Sequence, residues 1–186
     1  MKRSFLDQFY TVDPVSGDYI IEIALKEYDD IFNTWDSSIY NIRDLDGSLK
    51  SFLEDCSYDI APRKNIVLRF NMQNQTRNPL MEKKIETGIR NYFNYCLHLT
   101  RNKFSIKRKK TALYILVSFL FTVPSVYFQA INDHDVVSEL VLLSLTVGGW
   151  VFLWEAFYQL FIQSSDLSKK KKQYRRIVNS PILFHY

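Results

Sequence analysis

Up to about residue 106 the apolar positions come in short runs and spaced pairs, each soon broken by a charge. The habit then changes. From Thr111 to Asn132 there are 22 residues without a charge, and from Val136 to Ser165 there are 30 with only Glu139 and Glu155 charged. A helix crosses a hydrocarbon core with roughly 20 apolar residues, so the pattern predicts two spans, over about 111–131 and 136–157. A small soluble core rarely supplies charge-free runs of this length. No apolar h-region follows the polar N-terminus MKRSFLDQFYTVD, so the first apolar segment is expected to stay in the membrane.

The preceding segment reads as a small α/β unit. DYIIEIALKEY (Asp18 to Tyr28) is β-branched and apolar enough for a strand, and NIVLRFNM (Asn65 to Met72) alternates as a second. Between them Leu45, Leu49, Phe52, Leu53 and Cys56 recur at helical spacing, with Asp46 placed to cap. A further helix is predicted from Pro79, with Ile85, Ile89, Phe93 and Cys96 on its buried face. Beyond it, Asn94 to Ile106 fits either a continued helix or a third strand. The expected class is therefore α+β: a cytoplasmic α/β head of order βαβα (residues 1–106), a C-terminal two-helix transmembrane hairpin (107–168) and a basic cytoplasmic tail (169–186). Two strands make a poor sheet alone; pairing with neighbouring chains would complete it. The end of the tail, SPILFHY, fits docking on the head or insertion at the membrane surface.

Charge fixes an orientation for the spans. Lys107 to Lys110 (KRKK) abut the first; Lys169 to Lys172, Arg175 and Arg176 follow the second; the connecting NDHD (Asn132 to Asp135) carries acids and no Lys or Arg. The positive-inside rule puts both termini in the cytoplasm and the short loop outside. Residues 1–106 hold 14 Lys/Arg against 15 Asp/Glu, and residues 107–186 hold 10 against 5. The basic balance thus belongs to the membrane flanks, where it meets anionic lipid. The near-neutral head carries no footprint for nucleic acid.

Glu155 is the anomaly of the second span. Folding the spans about Asp133 brings it level with Thr111, at the inner boundary, where it is expected to pair with Lys110. Tyr114, Ser118, Thr122, Ser125 and Gln129 share one face of the first span, and Ser144 and Gly148 repeat at four on the second. Such faces serve helix packing, or line a pore when several copies assemble.

Candidate chemistry is sparse. The chain has no phosphate-cradling glycine loop, no HExxH and no CxxC pair, so no catalytic residue, metal or cofactor is expected. His98, His134 and His185 fall in separate regions, and Cys56 and Cys96 read as core thiols. Arg43, with Asp44 and Asp46, is the candidate ligand-binding group of the head; its alternative is a structural ion pair.

RDLD (Arg43 to Asp46), IRNYF (Ile89 to Phe93), GGWVFLW (Gly148 to Trp154) and YRRIVNSPI (Tyr174 to Ile182) occur in an order that resembles a bacterial family of two-span membrane proteins. That family typically has Arg-Pro after the tryptophan and soon afterwards Glu; this chain has Glu155, Ala156 and Tyr158. The resemblance implies topology rather than activity. A sensing head on two spans also resembles membrane effectors of bacterial antiviral defence. Two functions are therefore expected: a homo-oligomeric effector whose head gates a pore, or a non-conducting tether that recruits a cytoplasmic ligand or protein.

Overall fold

The computed structural model describes residues 5–40, 42–73, 75–131 and 135–186. It contains strands β1 (Thr11–Val12), β2 (Tyr19–Leu25), β3 (Ile66–Met72) and β4 (Ile182–His185), and helices α1 (Gly47–Asp59), α2 (Pro79–Ile131), α3 (Val136–Tyr158) and α4 (Ser164–Asn179). Two compact units divide the chain: Met1–Leu99 with Lys170–Tyr186, and Thr100–Lys169.

The first unit is built on one sheet in the order β1-β2-β3-β4. β2, β3 and β4 run parallel, and β1 is antiparallel to β2. Alternation assigns the faces. Tyr19, Ile21, Ile23 and Leu25 of β2 stand beside Ile66, Leu68, Phe70 and Met72 of β3. Ile182 and Phe184 of β4 continue that face, and Phe70 stacks on Phe184 at 5.4 Å. Leu49, Leu53 and Cys56 of α1, Ile85, Ile89, Phe93 and Leu97 of α2, and Tyr174 and Ile177 of α4 close over it as one core. On the opposite face the register sets Glu22 beside Arg69, which pair at 3.3 Å.

Two of the four strands go beyond the sequence expectation. β1 is only two residues long, and β4 lies in the stretch whose docking was open between head and membrane. The chain thus supplies its own third and fourth strands, and no neighbouring chain is needed to complete the sheet. Asn94 to Ile106 is helical throughout, inside α2. Asp46 caps α1 as expected, accepting from the amides of Ser48 (2.9 Å) and Leu49 (3.1 Å).

The C-terminal stretch is fastened by two arginines. Arg176 donates to the carbonyls of Ser57, Ile60 (3.0 Å) and Ala61 (2.9 Å) at the end of α1. Those carbonyls have no partner within the helix, and a cation there also complements the helix dipole. Arg90 of α2 does the same for α4 and the turn after it, donating to the carbonyls of Val178 and Ser180. Tyr174 donates to Glu54 (3.0 Å), and burial together with that carboxylate pushes its phenol pKa up, so the donor keeps its proton.

In the second unit the end of α2 and α3 lie antiparallel: Thr111 meets Gln159, and Ser125 meets Thr146. The helices Pro79–Ile131 and Val136–Asn179 are both long and apolar enough to cross a membrane. Only 17% and 6% of their most apolar windows are buried, unlike the core helices of a soluble fold.

Arg176→Met keeps much of the side chain's bulk and removes its donors. It should destabilise the sheet unit by about 2 kcal/mol, because several α1 carbonyls lose a charged partner. The check is a lowered midpoint for loss of near-ultraviolet circular dichroism during denaturant titration in detergent. An unchanged midpoint would show that α1 ends without this cap.

Candidate functional site

The long connection between β2 and α1 is the most elaborate surface feature of the sheet unit. A bridge between Phe32 and Leu45 brings its ends together, and the Asn33 amide donates to the Asp44 carbonyl at 2.8 Å. Residues 33–40 and 42–44 therefore belong to a closed Ω-loop, a class of loop that often carries function. Asp36 is its hub, accepting from the amides of Ser38 (2.9 Å) and Asp44 (2.8 Å). Bonds from Ser38 and the Asp44 amide hold the Asp36 carboxyl down to about 2, so it stays ionised at neutral pH. Tyr40 anchors the loop to Asp29. The loop passes so close to α2 that a Cβ at Gly88 would fall 2.6 Å from the Tyr40 carbonyl oxygen.

This frame displays apolar side chains outward. Trp35 is 94% exposed, and Ile39 and Ile42 are each 69% exposed. The sequence candidates sit beneath them as supports. Arg43 lies over the Phe32 ring at 5.8 Å and donates to the Asn33 carbonyl. Asp44 closes the loop through its backbone, and Asp46 is the α1 cap. Among the described residues no ion pair of Arg43 with Asp44 or Asp46 forms; Arg43 has ring and carbonyl contacts. Trp35, Ile39 and Ile42 were missed because exposure, not residue type, singles them out.

The helical unit sorts its polar residues by face. Ser118 and Ser125 are buried in the seam between α2 and α3. Ser125 Oγ reaches the Leu142 carbonyl and Thr146 Oγ1 (2.8 Å), and Thr122 Oγ1 donates to the Ser118 carbonyl (2.8 Å). Tyr114 is half-buried, its ring 6.2 Å from that of Phe152. Gln129 and Ser144 are exposed, and Ser144 Oγ donates to the Leu140 carbonyl. The two adjacent glycines differ: a Cβ at Gly149 would collide with Thr122, whereas one at Gly148 meets nothing within 4 Å.

Glu155 does not stand where folding about Asp133 put it. The seam pairs Thr111 with Gln159 and Ser125 with Thr146, so its midpoint falls just past Asp135. Glu155 is then level with residues 115–116, roughly 7 Å further along α2 at 1.5 Å per residue. Among the described residues no Lys110–Glu155 ion pair forms. Glu155 Oε1 instead accepts from Gln159 Nε2 at 3.0 Å. Gln159 Oε1 accepts from Thr111 Oγ1 (3.2 Å), and Gln163 Oε1 from Lys107 Nζ (3.1 Å). Gln159 and Gln163 bound a π-helical turn (Gln159–Gln163), a local rewinding frequent at functional sites. Asn132, Asp133 and His134 of the expected outer loop lie outside the described residues.

The sequence segments RDLD, IRNYF, GGWVFLW and YRRIVNSPI have structural work to do. Arg90, Ile89 and Phe93 hold α4 and the core, Tyr174, Arg176 and Ile177 fasten the C-terminal stretch, and Gly149 admits Thr122. Both cysteines sit against the core, and burial pushes their thiols up, away from the reactive thiolate.

Two outcomes follow. Gly149→Ala should destabilise the helix pair by about 1–3 kcal/mol through overpacking, while Gly148→Ala should be near neutral; thermal unfolding in detergent separates them. Asp36→Ala should speed amide hydrogen exchange across residues 33–44. In the wild type the lock persists above the ordinary carboxylate value of 3.8 and is lost as pH falls towards about 2, which Trp35 fluorescence anisotropy in a Trp150→Phe/Trp154→Phe background would follow.

No protein-family model, no curated protein and no solved structure matches this chain.

Proposed function

We propose that the chain is a membrane-tethered interaction protein. Its two apolar helices anchor it in a bacterial cytoplasmic membrane with both termini inside, and its sheet unit recruits a cytoplasmic protein through the loop 33–44. The observation that carries this reading is the display of Trp35, Ile39 and Ile42 on a loop locked by Asp36, Tyr40 and Arg43. Tryptophan is prominent among residues that dominate binding energy, and a locked loop loses little entropy on docking. Six acids and two bases lie between Lys26 and Asp46, which favours a partner with a basic rim over an anionic lipid surface.

The second reading is a homo-oligomeric effector that opens a pore or disturbs the membrane, in the manner of antiviral defence proteins. It draws on Ser144 and Gly148, which face outward and leave room for a helix of another copy. Against it, Thr122 and Ser125 are spent on hydrogen bonds inside one chain, and Ser118 is buried in the seam.

Purified protein in liposomes should pass no ions above empty vesicles. Flux that disappears in Ser144→Leu/Gly148→Leu would overturn the tether in favour of the pore. Trp35→Ser/Ile39→Ser/Ile42→Ser should leave stability within about 0.5 kcal/mol per site, as exposed substitutions do. It should also abolish a crosslink formed in cells by the wild-type loop. A triple variant that keeps the same crosslinked partner would remove the loop from the interaction.

A further inference from the structure

Glu155 remains without a countercharge. It belongs to a recess of about 510 Å³ on the outer surface of the helix pair, lined also by Tyr114, Val147, Trp150, Val151, Phe152 and Trp154. Its Oε1 takes the Gln159 amide; among the described residues Oε2 has no hydrogen-bond partner, and no lysine or arginine lies within ion-pair distance. A carboxylate in a largely apolar recess costs free energy unless a cation meets it. The lining says which kind. A hard metal ion asks for six or more oxygens, and this recess offers one carboxylate and a phenol. The faces of Trp and Tyr rings attract cations that carry alkyl groups.

We propose that this recess holds the ammonium group of a zwitterionic phospholipid, with Glu155 as counter-ion and Trp150, Trp154 and Tyr114 as its ring walls. Gln159, held by Thr111, fixes one oxygen of Glu155 and leaves the other for the ligand. The inference rests on the reading that the two helices lie in a membrane.

The test is native mass spectrometry of the full chain, extracted after reconstitution in vesicles of equal parts phosphatidylethanolamine and phosphatidylglycerol. The wild type should retain phosphatidylethanolamine in preference to phosphatidylglycerol. Glu155→Gln and, separately, Trp154→Leu should each reduce that preference about tenfold, as for loss of a desolvated cation contact. Trp154 is 76% exposed, so its replacement leaves the fold intact. Equal retention of both lipids, or an undiminished preference in Glu155→Gln, overturns the site. Displacement of the lipid by free ethanolamine as readily as by lyso-phosphatidylethanolamine assigns the recess to soluble amines and overturns the lipid assignment. Failure of the membrane reading is distinct: the chain would then leave the vesicles in an alkaline carbonate wash.

Discussion

The sheet unit depends on the parallel pairing of β4 with β3. Parallel neighbours need a long crossover, and here the crossover is everything between Met72 and Ile182, including both apolar helices. Closing so long a loop is entropically unfavourable, although the penalty grows only slowly with length. The return is therefore secured at several points. Leu68 donates to the Pro181 carbonyl at 2.9 Å, Phe184 stacks on Phe70, Ile177 enters the core, and Arg90 and Arg176 satisfy the ends of two helices. Without β4 the sheet would retain β2, β3 and a two-residue β1, and its core face would open along Leu68 and Phe70.

Much of this was legible in the sequence where a periodic signal was long enough. β2, β3, α1 and its Asp46 cap follow from alternation, helical spacing and cap chemistry. β4 was not legible, because four residues beside a lysine-rich helix read equally as tail or strand; its partner is fixed by tertiary packing. The two apolar runs announce themselves by length, but the register between them does not. It depends on the geometry near the turn, and a shift of a few residues moved Glu155 away from Lys110 and brought Gln159 to Thr111. The loop 33–44 shows the same limit. Its polar residues, including Arg43 and Asp44, drew notice as candidate chemistry, yet they are the frame, and the apolar residues they support are what the surface presents.

Water is absent from a bilayer interior, so a polar side chain there needs a partner within the protein. Across the helix pair several polar side chains have such a partner. Ser125 has Thr146 and a carbonyl, Thr122 and Ser144 bond back along their own helices, and Thr111 and Lys107 take the two glutamines of the π-helical turn. These residues bond within one chain, as helix packing asks.

Glu155 breaks that pattern, and the form of the exception matters. A carboxylate can be reconciled with an apolar surface by a cation from its own chain, by protonation or by an external cation. The first route is closed here by register, since the basic run sits about one turn away. The glutamine amide holds one oxygen in place without neutralising it. Four aromatic side chains around the recess then favour an organic ammonium over a bare metal ion. The carboxylate that looked like a flaw in an apolar segment is thereby the residue on which the proposed lipid site turns.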